Sequence, residues 1–382
     1  MKNIIFCDQY GQLGGGQQVL LELVKAALAN RFAVTVLIPA GPCADKLEAL
    51  GVEVRRIPIC ALTQGKKSVL DIIRFAVHNL VVFFQNFSVL RAADLIYING
   101  NRLLPVAFFA QRILGKEAAC HVHLNHGALE KKLFRIFLRQ RRTSAIVVPS
   151  AFIQRELVHF DTAFDSPKVR IVENGLDARF TSTAFEDRFS SHPLRHVGIV
   201  GRVSPEKGQD VLPALARRFP HMNFHVLGDA AFSSADFYAT LRRDSPANVH
   251  FHGWVEDLPQ KVREIGLQIC LVPSRCPEST PGHSFEAAPL VPMQMAALSC
   301  LVMVRRLGAL EDVAKKLQLL SFDSDEELIP MVENLCAQPK ADIIDQCKNS
   351  NAVALSEYSH SIFHERLKKL IHTLTLNRCP RL

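Results

Sequence analysis

Short apolar segments alternate with longer amphipathic ones along most of the 382 residues, and this rhythm constrains the fold more than any other feature. The first half predicts a helix over 17–30 and strands at 3–7, 33–38, 52–57, 94–98, 118–123 and 145–148. Because parallel strands are joined by crossover helices, the pattern predicts an α/β fold with helices on both faces of a parallel sheet.

The rhythm breaks in a polar stretch between Asp177 and Pro193 and then resumes. A second series of predicted strands follows, at 197–200, 223–227, 249–251, 269–272 and 301–304. A chain of this length exceeds one ordinary core, so we expect two Rossmann-like domains joined by a linker. The last predicted element is a basic amphipathic helix near 361–374.

Composition limits the classes of binding partner and the cellular compartment that we expect. The net charge of +8 favours an anionic partner, which could be nucleic acid, a phospholipid surface or a phosphorylated substrate. No basic run is interleaved with aromatic residues for base stacking, so we expect no nucleic acid. The ten cysteines contain no CxxC pair, which favours a reducing cytosol. The most apolar run, 75–90, is too short and too polar to span a bilayer, so the sequence predicts a soluble or membrane-surface protein.

The segment from Val197 to Leu212 predicts an anion site. A short strand ends at Gly201-Arg202, and a turn with Lys207-Gly208 leads into a helix. Glycine at a helix start lets backbone N–H groups approach a phosphate, and two cations five residues apart can hold a diphosphate without a metal. The glycines of a Walker A loop and of a dinucleotide fingerprint are missing. Taken alone, the segment could equally be a strand–turn–helix with two solvated cations.

Two features of the first half point to the same edge of its sheet. Gly14-Gly15-Gly16 follows the first predicted strand, and three glycines exceed what a turn needs, so we favour a ligand role. A later strand ends in His121 and His123, which alternate onto one face, with His126 beyond them. No further donor stands at metal-site spacing, so we expect no metal, and His123 is the histidine that we expect to be functional.

A Ser-, Pro- and Gly-rich loop after Val272 feeds a predicted helix at 291–297, with Glu286 just before it and Gln294 inside it. A tight loop here would turn N–H groups toward an anion, although a surface loop before a core helix fits as well. The helix predicted at 129–142 is basic and amphipathic. It is either packed on the core with a solvated basic face or in contact with an anionic membrane.

Taken in order, these pieces resemble glycosyltransferase family 4 of the GT-B fold over nearly the whole chain. The motifs that carry the resemblance are Gly14-Gly15-Gly16, Tyr97-Ile98-Asn99, the His123 strand end, Val172–Asp177, Gly201-Arg202 with Lys207-Gly208, Leu227-Gly228-Asp229, His252–Val255 and the Glu286–Gln294 segment. The resemblance implies two Rossmann-like domains with an interdomain cleft. It places an acceptor-side domain at 1–190, a nucleotide-sugar domain at 191–350, and a helical segment at 351–382 that returns to the first domain.

The resemblance also implies a retaining, metal-independent and cofactor-free transfer from a nucleotide sugar to a glycan or lipid-linked acceptor. Arg202 and Lys207 would neutralise the leaving diphosphate, Glu286 would hold donor-sugar hydroxyls, and His123 would lie near the transferred sugar. The remaining donor-binding residues would be Gly15, Gly16, Asn174, Gly228, Gly253, Leu290, Val291 and Gln294, with His121 as a further candidate. The resemblance favours bacterial polysaccharide or lipopolysaccharide synthesis on the cytoplasmic side of the inner membrane, with possible peripheral membrane contact.

The chain departs from the family pattern at one motif. The pattern has two glutamates separated by seven residues, and here the second is Gln294, which loses a charge-assisted grip on a ribose diol. Glu278 and Glu286 match the spacing literally, but Gln294 begins the family's helix, so we align Glu286 with the first glutamate and keep Glu278 as a further sugar contact. A catalytically weakened sugar-nucleotide-binding partner subunit is the alternative function.

Overall fold

Two separate parallel sheets, one of seven strands and one of six, organise the computed structural model. Contacts divide the chain into a first unit, Met1–Glu173 with the chain from His364, and a second unit, Asn174–Phe363. The structure describes residues 1–59, 68–181, 185–230, 235–276 and 286–376.

The first unit carries the seven-stranded sheet in the order β3-β2-β1-β4-β5-β6-β7. Its strands are β1 (Asn3–Asp8), β2 (Ala33–Ile38), β3 (Glu53–Arg56), β4 (Leu95–Asn99), β5 (Glu117–His121), β6 (Thr143–Val148) and β7 (Val169–Ile171). Its helices are α1 (Gly15–Ala29), α2 (Pro42–Ala49), α3 (Val69–Gln85), α4 (Phe87–Ala92), α5 (Leu104–Ile113), α6 (Ala128–Leu138) and α7 (Ala151–Phe160), with a 3-10 turn at Thr162–Phe164.

The second unit carries the six-stranded sheet in the order β10-β9-β8-β11-β12-β13. The strands are β8 (His196–Val200), β9 (Asn223–Leu227), β10 (Val249–Phe251), β11 (Ile269–Val272), β12 (Leu301–Arg305) and β13 (Leu320–Phe322). The helices are α8 (Ala178–Thr181), α9 (Leu212–Arg218), α10 (Ala235–Asp244), α11 (Leu258–Ile265), α12 (Leu290–Ala297), α13 (Ala309–Leu317), α14 (Leu328–Ala337), α15 (Lys340–Tyr358) and α16 (His360–Leu376), and the last continues into the first unit. Three 3-10 turns complete it, at Pro205–Lys207, Gln209–Val211 and Asp325–Glu327.

Strand composition explains the architecture. Ile4, Ile5, Phe6 and Cys7 of β1 are all fully buried, as expected for a central parallel strand covered on both faces. In the second unit, alternate residues of the strands enter two different cores: Val197 and Ile199 of β8 join one, and Cys270 and Val272 of β11 join the other. The predicted α/β class with parallel sheets is therefore confirmed.

Differences from the sequence-based prediction concern short elements. The strands predicted at 33–38, 223–227, 249–251 and 269–272 have the predicted bounds, whereas β7 and β13 were not predicted. Each of those two strands has only three residues, which is too few to show an alternation of apolar and polar residues. The apolar run from residue 75 lies largely within α3, and among the described residues no helix has the length and apolar character needed to cross a membrane.

Candidate functional site

The carboxyl ends of β1, β4 and β5 bring three polar side chains together in the first unit. Asn99 ends β4 and donates its amide N–H groups to Asp8 Oδ2 at 2.5 Å and to the Gly16 carbonyl at 3.0 Å. The opposite side of that amide, Oδ1, lies 2.7 Å from His123 Nε2. The three strands are neighbours in the sheet, so Asp8, Asn99 and His123 form one hydrogen-bonded chain along its edge.

The hydrogen bonds from Asp8 through Asn99 determine which nitrogen of His123 carries the proton. The Asn99 amide nitrogen donates to Asp8 and to the Gly16 carbonyl, so the other atom facing His123 is the amide oxygen Oδ1. Because an amide oxygen can only accept, His123 must donate through Nε2–H. Burial lowers the pKa of His123 to about 4, so the ring is neutral at physiological pH and its Nδ1 keeps a lone pair. Burial also raises the pKa of Asp8 to about 6, although hydrogen bonds from Asn99, Tyr10 and Gln17 oppose the shift. A neutral imidazole acceptor at a strand edge suits a ligand hydroxyl.

The triple glycine lies against the same histidine. Helix α1 begins at Gly15, with Gly14 as its N-cap. A Cβ added at Gly16 would lie 3.2 Å from His123 Cδ2, whereas one at Gly15 would meet nothing within 4 Å. The glycines therefore allow close backbone approach on the His123 side and leave open space at Gly15.

His121 is the more enclosed of the two predicted histidines. It is fully buried, stacks on His123 with ring centroids 4.5 Å apart, and its Nδ1 lies 3.0 Å from the Tyr97 hydroxyl. Burial lowers its pKa well below the usual value. Its Nε2 is buried and has no hydrogen-bond partner among the residues that the structure describes. These contacts support the His123 ring from behind.

In the second unit, the end of β8 has the predicted turn. Gly208 has φ +71°, and a Cβ there would lie 2.5 Å from the Pro273 carbonyl oxygen, so the chain needs glycine for both conformation and space. The turn is tied down by Gln209, which donates to the Arg202 carbonyl at 2.9 Å. The segment 202–208 is thereby held against the end of β11.

The two predicted clamp cations are paired with carboxylates. Lys207 Nζ contacts Glu286 Oε1, and Ser274 donates to the same oxygen at 3.3 Å. Arg202 pairs with Glu206 at 2.5 Å. The structure thus brings Lys207 and Glu286 together, as the family resemblance requires of residues in one site. Their partners Glu206 and Ser274 could not be predicted from the sequence.

Helix α12 starts four residues beyond Glu286, and its first turn has two backbone donors without a side-chain cap. Its N-cap, Pro289, provides no side-chain cap, and Pro289 and Pro292 both lack an N–H. The donors of the first turn are therefore Leu290 and Val291, the pair that the resemblance assigned to phosphate. The partial positive charge of a helix N-terminus favours an anion there. Gln294 is half-buried one turn further along the helix.

Gly228 and Gly253 lie side by side beyond β9 and β10, where they form an isolated antiparallel bridge. A Cβ at Gly228 would lie 1.9 Å from the Gly201 carbonyl oxygen, so no other residue fits. Next to the bridge, Trp254 is 78% exposed, which is unusual for an indole. These glycines therefore place the 252–255 segment directly beside the β8 turn.

Three other residues complete the account of the second unit. Asn174 has a buried Oδ1 with no partner among the described residues. Glu278 lies outside the described residues. Arg275, which sequence reasoning missed, pairs with Asp210 at 2.8 Å and Asp325 at 2.7 Å, and its backbone N–H donates to the backbone carbonyl of Glu206 at 2.8 Å. It fixes the loop after β11 to the 3-10 turn that carries Lys207.

Comparison with known proteins gives a family model and solved structures that are similar to this chain. Residues 13–180 match the family model of Glycosyltransferase Family 4, which confirms the resemblance over that part of the chain. A search of curated protein sequences gives no match.

Solved structures show the fold. Anabaena Alr3699/HepE in complex with UDP is similar with a TM-score of 0.77 and 20% identity, over 98% of this chain and 100% of that one. A glycosyltransferase from Rickettsia africae gives 0.74 and 13%, over 99% and 100%. The apo form of the lipopolysaccharide outer core galactosyltransferase WaaB gives 0.69 and 14%, over 97% and 99%. The chain therefore has the two-domain GT-B fold that the resemblance predicted.

Proposed function

We propose that this chain, whose residues 13–180 belong to glycosyltransferase family 4, transfers a sugar from a nucleotide-sugar donor to a hydroxyl of a glycan or lipid-linked acceptor. The proposed transfer retains the anomeric configuration and needs no metal ion. One observation carries the proposal: the Lys207 ammonium contacts the Glu286 carboxylate although the two are 79 residues apart. A cation for the diphosphate and an acceptor for sugar hydroxyls are the two groups that a sugar diphosphate requires side by side.

The surroundings of this pair support the same ligand. Arg202 adds a second cation, and the Leu290 and Val291 amides at the uncapped start of α12 add two neutral donors. Charge that develops on a leaving diphosphate is stabilised by donors already in place, which is where such groups contribute most to rate. The departing phosphate oxygen can accept the acceptor's proton, so no protein nucleophile is required.

His123 supplies a different function in the first unit. Its Nε2–H is held by Asn99, and its neutral ring keeps Nδ1 as an acceptor. We assign His123 to a sugar hydroxyl near the transferred group. Gly15 and Gly16 have no side chains and allow the protein backbone to approach the ligand closely. Because this role needs the neutral ring, protonation of His123 below its pKa of about 4 abolishes it.

The proposed setting is bacterial polysaccharide or lipopolysaccharide synthesis at the cytoplasmic face of the inner membrane. Similarity to the lipopolysaccharide galactosyltransferase and to HepE, which has also been solved with UDP-glucose, supports a UDP-sugar as the first donor to test. The second candidate function is a partner subunit that binds the donor without turnover. Gln294 favours it, because an amide grips a ribose diol less firmly than the glutamate of the family pattern.

A thermal-shift screen of UDP-, GDP- and dTDP-sugars identifies the donor, because a bound ligand raises the melting temperature by mass action. NMR of the anomeric proton then follows consumption of that donor in wild type and in Arg202→Ala and Lys207→Ala. We expect turnover in wild type, loss in both variants, and full turnover in Lys348→Met, which removes an exposed ion-paired lysine elsewhere in the second unit. Donor binding without turnover across a broad acceptor panel supports the partner subunit instead.

A further inference from the structure

Helix α3 of the first unit has a largely apolar outward side, whereas two of its polar residues are buried on the inward side. On the outward side, Val69 is 74% exposed and Phe84 is 63% exposed, and six further large apolar side chains on this helix are exposed: Leu70, Ile72, Ile73, Val77, Leu80 and Val81. On the inward side, Asp71 and Asn79 are buried. An ordinary surface helix has the reverse arrangement.

The rotation of the helix is fixed by contacts on its inner side. Phe83 is fully buried and packs on Phe109 of α5 with ring centroids 5.6 Å apart. Two polar contacts also hold this side: Asp71 forms a capping box with Ser68, and the Asn79 amide nitrogen donates to the Phe75 carbonyl at 2.9 Å, whereas Asn79 Oδ1 is buried without a hydrogen-bond partner among the described residues. The apolar side is therefore held outward by the packing.

The exposed side chains form one continuous stripe. At 100° per residue, Val69, Ile73, Val77, Leu80 and Phe84 all lie within about 80° of one another, with the remaining apolar residues flanking them. The helix has 17 residues, so at about 1.5 Å per residue the stripe is about 25 Å long. Contiguous apolar surface of this kind marks an interaction site.

The charges around the stripe are cationic. From residue 69 to residue 92 the sequence contains one carboxylate, the buried Asp71, whereas Arg74 and Arg91 are exposed. Helix α5 packs beside α3, and Phe108 of α5 packs on Phe137 of α6 at 5.9 Å. Helix α6 buries Phe134, Phe137 and Leu138; Lys132 on the helix is exposed, and so are Arg139 and Arg141 just after it. An apolar stripe next to a cationic border is complementary to an anionic lipid surface.

We propose that the first unit docks on anionic phospholipid through α3, which lies in the plane of the interface with its apolar stripe among the acyl chains. A second copy of the chain fits less well, because a two-fold contact through α3 would bring together two copies of one surface, and residues 69–92 offer no exposed carboxylate to pair with Arg74 or Arg91. The inference gives the peripheral membrane contact of the proposed function a definite surface. It does not depend on sugar transfer, so either can fail while the other holds.

Co-flotation of the full-length protein with phosphatidylglycerol-containing and pure phosphatidylcholine vesicles tests the docking. The variant Ile73→Gln/Val77→Gln/Phe84→Gln removes three exposed side chains from the stripe. The matched control, Leu28→Gln/Ile171→Gln/Leu376→Gln, removes three exposed apolar side chains from other parts of the first unit. We expect wild type and control to float with the anionic vesicles. The α3 variant should partition about 100-fold more weakly, because three partly inserted side chains lose about 1 kcal/mol each.

Two further measurements separate the explanations. A nucleoside diphosphate should raise the melting temperature of the α3 variant as much as that of wild type, which shows that the variant is folded and its donor site intact. Sedimentation velocity without vesicles should show a monomer in both. The proposal is overturned if the wild-type protein does not float with anionic vesicles, or if the α3 variant floats as well as the control. It is also overturned if the wild-type protein is a dimer that the α3 substitutions dissociate.

Discussion

Four histidines stack on one face of the second unit's sheet and make its stability depend on pH. His225 of β9 lies at the centre: its Nε2 is 3.1 Å from His196 Nδ1, and its Nδ1 is 3.0 Å from His252 Nε2. The His250 ring stacks on it with centroids 5.2 Å apart. Each N···N hydrogen bond needs one protonated and one bare nitrogen, so two hydrogen-bonded rings of the ladder cannot both be charged.

The sign and size of the effect follow from His225. Burial, aided by the neighbouring histidines, lowers its pKa from 6.5 to about 3. A depressed histidine pKa contributes stability that is complete above the unfolded value and is lost as the pH falls toward the folded one. Between pH 7 and pH 5 this one group accounts for a loss of about 2 kcal/mol. The lowered pKa values of His196 and His252 act in the same direction.

The substitution His225→Gln removes the titrating ring and keeps one donor and one acceptor. Calorimetry at pH 7, 6 and 5 measures the melting temperature of the second unit, where 2 kcal/mol corresponds to about 4–8 °C. We expect the acid-induced drop to shrink by that amount in His225→Gln and to stay unchanged in His221→Gln, a control at an exposed histidine of the second unit whose ring contacts Phe219 and not the ladder. An equal drop in wild type and His225→Gln would refute the reasoning.

Three further predictions concern the two candidate edges. Gly208→Ala should destabilise the fold by about 3 kcal/mol or more in urea unfolding, because the new Cβ meets a backbone carbonyl. Gly51→Ala, with a similar positive φ but open space, should cost only about 1–2 kcal/mol; equal costs would contradict the close approach. Asn99→Ala should lower donor turnover about tenfold or more by releasing His123, while nucleoside diphosphate affinity in calorimetry stays within twofold. Glu286→Gln should bind a nucleoside diphosphate several-fold tighter, since it removes a carboxylate beside the clamp, yet lose turnover; weaker diphosphate binding would show that the carboxylate does not oppose the phosphates.

Much of the fold could be predicted because its signals are local. The βα rhythm gave the class, and fully apolar runs such as Ile4–Cys7 marked the central strands. The orientation of α3 could not be predicted, since an apolar helix is expected to bury its apolar face, and only packing of residues such as Phe83 against α5 shows which side faces inward. For the same reason, the sequence offers the basic helix α6 as a membrane-contact candidate, whereas the structure buries its Phe134, Phe137 and Leu138.

The candidate site likewise contains residues that could be predicted from the sequence and residues that could not. Glycines and cations at strand ends could be recognised from the sequence because their chemistry depends on local backbone geometry. Partners distant in sequence could not: Asp8 and Asn99 are 91 residues apart, and Glu206 and Arg275 look like ordinary surface charges. Asn99 was part of a recognised motif, and its position at the end of a strand next to β1 is the signal that could have identified it.

The central claim is that Arg202 and Lys207 hold a diphosphate. Isothermal titration with a nucleoside diphosphate and with the monophosphate of the same base tests it directly in wild type, Arg202→Met and Lys207→Met. We predict that each substitution weakens diphosphate binding about 10- to 100-fold, because a charge-assisted contact is lost, and changes monophosphate binding less than twofold. Equal losses for both ligands, or no loss for the diphosphate, would contradict the assignment.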